Sequence, residues 1–267
     1  MTSVERPILV SIVSHGHGAI VNALLDDLAL PGNAELVRVL LTVNLASERL
    51  SLVERPYPLR VVRNERPVGF AENHNTAFRM GMADTPEPYF CVLNPDVRMQ
   101  AGVMAQLAGK FASPPYPALL APAVFSSDGV LQDSARPWPT PITILGRVFG
   151  RLVAQNIGAV SEISRWDWLA GMFMVFDARA YDDVGGFDHR YFLYYEDVDI
   201  CCRMRQSGYR LAYCPDVRVE HDARRDSHRR LAHLGWHVCS AIRFFFSPGY
   251  FRCRRLPSGE QRDPTRA

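Results

Sequence analysis

Residues Ile8–Ser14 form an almost unbroken run of apolar and β-branched side chains. A run without polar alternation is how a strand covered on both faces reads, and such strands belong to parallel sheets. Parallel strands need crossover connections, usually helices, and the chain supplies them. Gly16 and Gly18 break the first run, and a helical stretch from Ile20 to Leu30 stops at Pro31-Gly32. Leu36–Val43 reads as a second buried strand, Leu59–Arg63 as a short third and Phe70–Met82 as a helix. Tyr89–Leu93 is a fourth strand, ended by Asn94-Pro95-Asp96, and a helix at Ala101–Phe111 leads to a strand at Ala118–Phe125. The alternation predicts an α/β fold, a mostly parallel twisted sheet flanked by helices.

The middle of the chain breaks the pattern. Ser126–Ser164, with Pro137, Pro139 and Pro141 around Trp138, predicts a long loop with a short helix. Loops of that length in compact domains often serve as lids. Regular structure resumes at Trp168–Phe176, followed by a helix over Ala178–Val184 that Gly185-Gly186 ends. A further helical stretch runs to Gly208, and Arg210–Cys214 predicts a short strand.

Composition narrows the functions. With 267 residues, 48% hydrophobic and 22% charged, the chain allows one large α/β domain or two small ones and is long enough for a real core. A net charge of +2 argues against a dedicated nucleic-acid binder. Six cysteines without a C-x-x-C pair predict neither a zinc site nor a disulfide framework. The N-terminus lacks a signal-peptide pattern, and no apolar run approaches the roughly 18 residues that span a bilayer. A cytoplasmic protein with reduced thiols is expected.

The densest chemistry lies in Phe192–Arg203, where Glu196, Asp197 and Asp199 follow an aromatic run at the start of a helix. Carboxylates there complement the positive end of the helix macrodipole. They equally suit a site that removes a proton or faces a metal. In open α/β sheets ligands bind beyond the carboxyl ends of the strands. The groups at those ends are Ser14-His15-Gly16, Asn44, Asn64 and Asn94-Pro95-Asp96. Neither G-x-G-x-x-G nor a Walker A motif occurs, which disfavours dinucleotide dehydrogenases and P-loop enzymes. Asp96, a carboxylate just after a buried strand, can hold Mg²⁺ or Mn²⁺ against a diphosphate; the same tripeptide is also a common β-turn. His221, after the extended Val217–Glu220, would complete an oxygen–nitrogen set compatible with Mn²⁺. His233 and His237 lack the glutamate of H-E-x-x-H, so a zinc-protease reading fails.

The order of segments resembles family 2 glycosyltransferases of the GT-A fold, especially bacterial rhamnosyltransferase-like members. The matching segments are Val10–Ser14, Val43–Ser47, Asn64–Asn75, Leu93–Val97, Leu169–Met174, Val184–Asp188, Phe192–Asp199 and Val219–His221, so the resemblance covers roughly residues 7 to 222. It implies inverting transfer of a sugar, rhamnose being one candidate, from a nucleotide-diphosphate sugar to a hydroxyl of a cell-surface glycan or lipid-linked acceptor. It also implies roles. Asp96 and His221 would hold a divalent cation, Mg²⁺ or Mn²⁺, and Asp197 would be the catalytic base beside Glu196. Ser14, His15, Gly16, Asn44, Asn64, Gly69, Phe70, Asn73, Asn75, Asn94 and Asp96 would line the donor site. Trp168, Gly171, Tyr194 and Glu196 would face the acceptor. Two departures stand out: Asn94 replaces the first Asp of the Asp-x-Asp metal motif, and Asn44 replaces the usual nucleotide-side Asp.

The expected organisation is a catalytic domain over residues 1–222, divided near residue 100 into a nucleotide-sugar half and an acceptor half, and a basic tail over 223–267. In the tail, Leu231, Leu234, Val238, Ile242 and Phe245 recur at helical spacing between Arg229 and Phe246, with Trp236, Phe244 and Phe246 widening the apolar surface. Arg243, Arg252, Arg254 and Arg255 lie nearby. Such a helix either packs on the domain or lies against anionic lipid at the inner membrane face. Two other functions were weighed: a non-catalytic GT-A-fold binding subunit of a glycan-assembly complex, and a nucleotidyltransferase, which the lack of a glycine- and basic-rich loop after the first strand disfavours.

Overall fold

The computed structural model describes residues 7–132, 134–141, 165–221, 230–255 and 259–260. The loop and helix expected within residues 142–164, and the start of the tail at 223–229, lie outside the described residues.

Eight strands form one sheet. They are β1 (Ile8–Ser14), β2 (Val37–Val43), β3 (Leu59–Arg63), β4 (Tyr89–Leu93), β5 (Val97–Arg98), β6 (Leu119–Phe125), β10 (Phe173–Asp177) and β11 (Leu211–His221), in the order β3-β2-β1-β4-β10-β6-β11-β5. Short strands β7 (Ala135–Arg136) and β9 (Trp168–Leu169) pair beside it, as do β8 (Arg165–Trp166) and β12 (Gly259–Glu260). The helices are α1 (Gly18–Leu28), α2 (Phe70–Asp84), α3 (Val103–Phe111), α4 (Ala178–Asp183), α5 (Glu196–Gln206), α6 (Arg230–Phe245) and α7 (Pro248–Cys253).

The parallel sheet expected from the sequence holds for β3, β2, β1 and β4. The second half is mixed. β10 runs antiparallel between β4 and β6, β11 runs parallel to β6, and β5 pairs antiparallel with the end of β11. The expected single segment Trp168–Phe176 is divided, because Ala170–Met172 leaves the ladder between β9 and β10. The expected short strand at Arg210–Cys214 continues to His221 through an irregularity between Cys214 and Arg218, a register shift that Pro215, lacking an N–H, accommodates.

This topology places many loops at one sheet edge. The carboxyl ends of β1, β2, β3, β4, β6 and β11 point there, together with the amino ends of β10 and β5. Apolar clusters fill both faces of the sheet, one built on Leu9, Phe90, Phe176 and Tyr181, the other on Ile12, Leu24, Leu41 and Leu107. Gly81 lets α2 press on β1, since a Cβ there would sit 2.3 Å from Leu9 Cδ2. His74, fully buried on α2, meets Ser11 Oγ through Nδ1 at 2.8 Å. Burial lowers its pKa to about 3, so it stays neutral.

One pair of cysteines corrects the expectation of reduced thiols throughout. Cys202 on α5 and Cys253 on α7 are bonded, with Cα atoms 5.6 Å apart and a sequence separation of 51. Helix packing joins them, and spacing alone gives no sign of that.

Candidate active site

The turn after β4 is held from below. Arg98 reaches Asp27 of α1 with two charge-assisted bonds of 2.6 and 2.8 Å, and Asp27 also accepts from Met99 N–H at 2.9 Å. Asn33 adds bonds to the Gln100 carbonyl and from Met104 N–H. These contacts fix β5 and so the preceding Asn94-Pro95-Asp96. Because His221 is paired with Val97 across β5 and β11, its ring comes beside Asp96. His221 Nε2 lies 3.2 Å from Asp96 Oδ2.

Gln132 determines which atoms of this pair face each other. Its Nε2 donates to the His221 carbonyl at 2.9 Å, which turns its Oε1 to His221 Nδ1 at 3.1 Å. Oε1 can only accept, so the hydrogen-bond network assigns the ring proton to Nδ1. Nε2 then faces a carboxylate oxygen, a contact that either a second ring proton or a bound cation would satisfy. The other Asp96 oxygen, Oδ1, is buried without a hydrogen-bond partner among the described residues. An orphaned oxygen, a second carboxylate oxygen and an imidazole lone pair together fit a divalent cation. Asn94 contributes its backbone N–H to the Met172 carbonyl at 2.9 Å, and its side chain is half-buried.

Met172 and Gly171 connect this corner to the acidic helix. Gly171 N–H donates to Asp197 Oδ2 at 3.0 Å, and Val198 N–H donates to Asp197 Oδ1 at 2.8 Å. Each carboxylate oxygen is thus oriented by a backbone donor. A Cβ on Gly171 would lie 3.4 Å from Asp197 Cβ, an ordinary contact distance, so it is the backbone N–H of this residue that the site uses. Burial pushes Asp197 above the usual carboxylate range, against the two backbone N–H groups and the Arg136 guanidinium. Glu196 is raised well above that range, chiefly by burial and then by the Asp197 charge, and its Oε2 has no partner among the described residues. Asp199, in contrast, is held at 2.7 Å by Arg203 within the helix. The acidic helix is entered through Tyr194 and Tyr195, both left-handed at φ 70° and 68°. Two non-glycine residues in that region carry strain of about 1–3 kcal/mol each, a cost that clusters at functional sites.

A third set of loops closes on the same edge. Phe70 N–H donates to the Phe192 carbonyl at 2.8 Å, and a Cβ on Gly69 would sit 2.6 Å from that oxygen. The segment behind this contact is locked by amides. Asn44 Oδ1 accepts from Val68 N–H and Asn64 Nδ2, while Asn44 Nδ2 donates to the Val68 carbonyl and meets His15 Nδ1. Asn64 also donates to Asn73 Oδ1, and Asn73 donates to the Val68 and Gly69 carbonyls. An aspartate at position 44 would have no hydrogens for Val68 and His15, which is a physical reason for the amide. The turn after β1 is organised by Glu48, which accepts from Ser14 Oγ, Gly16 N–H and His17 N–H.

Several residues expected in the site have other occupations. Asn75 is buried and holds the loop before Tyr191, bonding the Phe187 carbonyl, Phe187 N–H and Tyr181 hydroxyl at 2.7–3.0 Å. Trp168 is buried, its indole N–H on the Pro137 carbonyl and Arg136 over its ring at 5.2 Å, so that face is no open platform for a sugar. Tyr194 directs its hydroxyl to His233 of α6 at 2.8 Å. Gln132, Glu48, Asp27 and Arg136 were not anticipated. They lie in loops, helix ends and a two-residue strand, and carry no motif; only the fold brings them to the site.

Comparison with known proteins gives the family and the fold. The model of the family described as "Glycosyltransferase like family 2" matches residues 7–238. The chain belongs to this family. It is a glycosyltransferase. The rhamnosyltransferase WbbL of Escherichia coli is 27% identical over 248 residues, covering 89% of this chain and 92% of that protein. The N-acetylglucosaminyl-diphospho-decaprenol L-rhamnosyltransferase of Mycobacterium tuberculosis is 32% identical over 191 residues, covering 66% of this chain and 62% of its own. Among solved structures, the mannosyltransferase PcManGT of Pyrobaculum calidifontis, in complex with GDP-Man and Mn²⁺, superposes with a TM-score of 0.58 at 16% identity over 93% of this chain and 67% of that one. The likeness to it establishes the GT-A fold.

Proposed function

We propose that this glycosyltransferase works with inversion, moving a sugar of the rhamnose type from a nucleoside-diphosphate donor to a hydroxyl of a lipid-linked or cell-surface glycan. The observation that carries this reading is the convergence at one sheet edge. Gly171 binds Asp197 while the adjacent Met172 binds Asn94, two residues before Asp96 and its partner His221. A base and a cation corner are therefore built on one short backbone segment.

Asp197 takes the proton of the acceptor hydroxyl as that oxygen attacks the anomeric carbon. A single displacement with one base requires no covalent intermediate, which supports inversion. Asp96 and His221 would hold a divalent cation, whose charge offsets that developing on the departing diphosphate. Burial and the Asp197 charge push the Glu196 carboxyl up, which disfavours a second negative charge beside Asp197. The loops carrying Ser14–Gly16, Asn64 and Gly69–Phe70 bound the donor side; Gly171 and Tyr194 bound the acceptor side. Residues 1–222 form the catalytic unit in this reading and 223–267 a tail.

The names of the two rhamnosyltransferases support the sugar, and the decaprenol in one of them supports a lipid-linked acceptor. Among the described residues no helix is long and apolar enough to cross a membrane. A binding subunit without activity is disfavoured by the oriented Asp197 carboxylate. The test is a panel of nucleoside-diphosphate sugars, L-rhamnose among them, scored with and without Mn²⁺ by thermal stabilisation and by mass of the product on a polyprenyl-diphosphate glycan. One donor should raise the melting temperature and give a product. If none binds with or without the metal, the reading fails.

A further inference from the structure

Helix α6 sits on the catalytic domain by the face opposite to its aliphatic row. Trp236 stacks near Phe192 with ring centroids 4.9 Å apart, Ser240 Oγ donates to the Leu193 carbonyl at 2.9 Å, and His237 and Phe244 meet Tyr195 at 5.4 and 5.6 Å. Phe244 and Ser240 are buried. Leu234, Val238 and Ile242, spaced by four, are 57, 47 and 54% exposed, and Phe246 just beyond the helix is 81% exposed. Phe251 on α7 is exposed as well. The helix is therefore anchored by its other face and, at its end, by Phe245 against Tyr195 and Tyr250, which leaves Leu234, Val238 and Ile242 as an exposed apolar row.

The charge nearby says which. Residues 230–255 contain five arginines and no aspartate or glutamate. Among the described residues no carboxylate pairs with Arg243, Arg252, Arg254 or Arg255, and all four are exposed. A second copy of the chain would set the same cations against one another, which opposes self-association through this face. Aliphatic and aromatic side chains beside uncompensated arginines match the boundary of an anionic bilayer, where the apolar row enters the acyl region and the guanidinium groups meet phosphate. A helix with its side chains is about 10–12 Å across. The Tyr194–Tyr195 turn on its inner side thus lies about one helix diameter from the outer surface.

We propose that the outer face of α6, formed by Leu234, Val238, Ile242 and Phe246 with the arginines of α6 and α7, docks on an anionic lipid surface and holds the catalytic turn beside it. This deepens the lipid-linked-acceptor reading above and rests on it for the acceptor alone. The experiment is sedimentation of the full chain with phosphatidylglycerol–phosphatidylethanolamine vesicles and with neutral phosphatidylcholine vesicles, without donor or acceptor. The wild type should partition at least tenfold more strongly to the anionic vesicles, and less at high salt. Leu234→Glu with Ile242→Glu should abolish binding, and each of Arg252→Glu and Arg255→Glu should weaken it about fivefold or more. Circular dichroism and donor binding report whether the variants keep the fold; Leu234→Ser with Ile242→Ser serves as a milder pair if the glutamates do not. No sedimentation of the wild type, equal binding by the variants, or a change in oligomeric state in place of vesicle binding would each overturn the proposal. Donor binding in the same samples reads the catalytic assignment separately.

Discussion

Gln132 and His221 are bonded twice, side-chain amide to backbone carbonyl and amide oxygen to ring nitrogen, at 2.9 and 3.1 Å. The first bond orients the amide, and the amide then sets the imidazole tautomer. The ring's Nε2 faces Asp96, 3.2 Å away. A residue outside every recognised motif thus orients a histidine at the end of an eleven-residue strand, and on the reading proposed above that orientation serves a cation.

Replacing Gln132 tests that preparation. Gln132→Leu removes both bonds and frees the ring to carry its proton on Nε2. Outer partners of metal-ligating histidines typically contribute 10- to 100-fold in affinity. Mn²⁺ titration by calorimetry should show weakening of about that size, with an unchanged far-ultraviolet spectrum. Equal affinity in the variant would remove Gln132 from the site.

Asp197→Asn should leave donor binding in place and reduce turnover by about 10²- to 10⁴-fold, the usual contribution of a positioned base. Single-turnover transfer and donor calorimetry on the same protein separate the two effects. Near-wild-type turnover would point to another base.

Glu196 makes stability depend on pH. Its carboxyl is held well above the ordinary range by burial and by Asp197, so the folded state binds a proton that the unfolded state releases. Its contribution is complete below the unfolded value of about 4.3 and is lost as pH rises toward the folded value. Glu196→Gln keeps the shape without the charge. Its melting temperature should match the wild type near pH 4 and exceed it near pH 8. A constant difference across pH would mean that Glu196 is ionised in the folded protein. Asp197 is raised too, so transfer should increase with pH through a value above that of a free aspartate.

Gly69→Ala probes the contact between the donor loop and the catalytic segment. The new methyl would fall 2.6 Å from the Phe192 carbonyl oxygen and 2.8 Å from its Cα, and backbone cannot yield as a side-chain end does. A cost of about 1–3 kcal/mol is expected for forced overpacking, or a fall of roughly 2–10 °C in melting temperature. Turnover should fall too, because Phe192 leads into the Tyr194–Tyr195 turn. An unchanged melting temperature would show that the two segments move apart freely.

The sequence alone determined the main strand and helix alternation through Phe125, the α/β class, and Asp96, Asp197 and His221 as the groups to watch. Those features depend on local patterning: a buried strand is apolar wherever its neighbours lie, and a carboxylate after a strand is visible from the strand. Only the tertiary structure decided the rest. The antiparallel insertion of β10, the bond between Cys202 and Cys253, the Asn44–Asn64–Asn73 lock and the Gln132–His221 pairing all join residues far apart in the chain. The same holds for α6. Its periodicity marked an apolar face that either packs or meets lipid; in the fold the aromatic and histidine face packs, Phe245 meets Tyr195 and Tyr250, and Leu234, Val238 and Ile242 are exposed. Helical spacing says that a face exists; which face is covered depends on what the folded domain presents to it, here the rings of Phe192, Tyr194 and Tyr195.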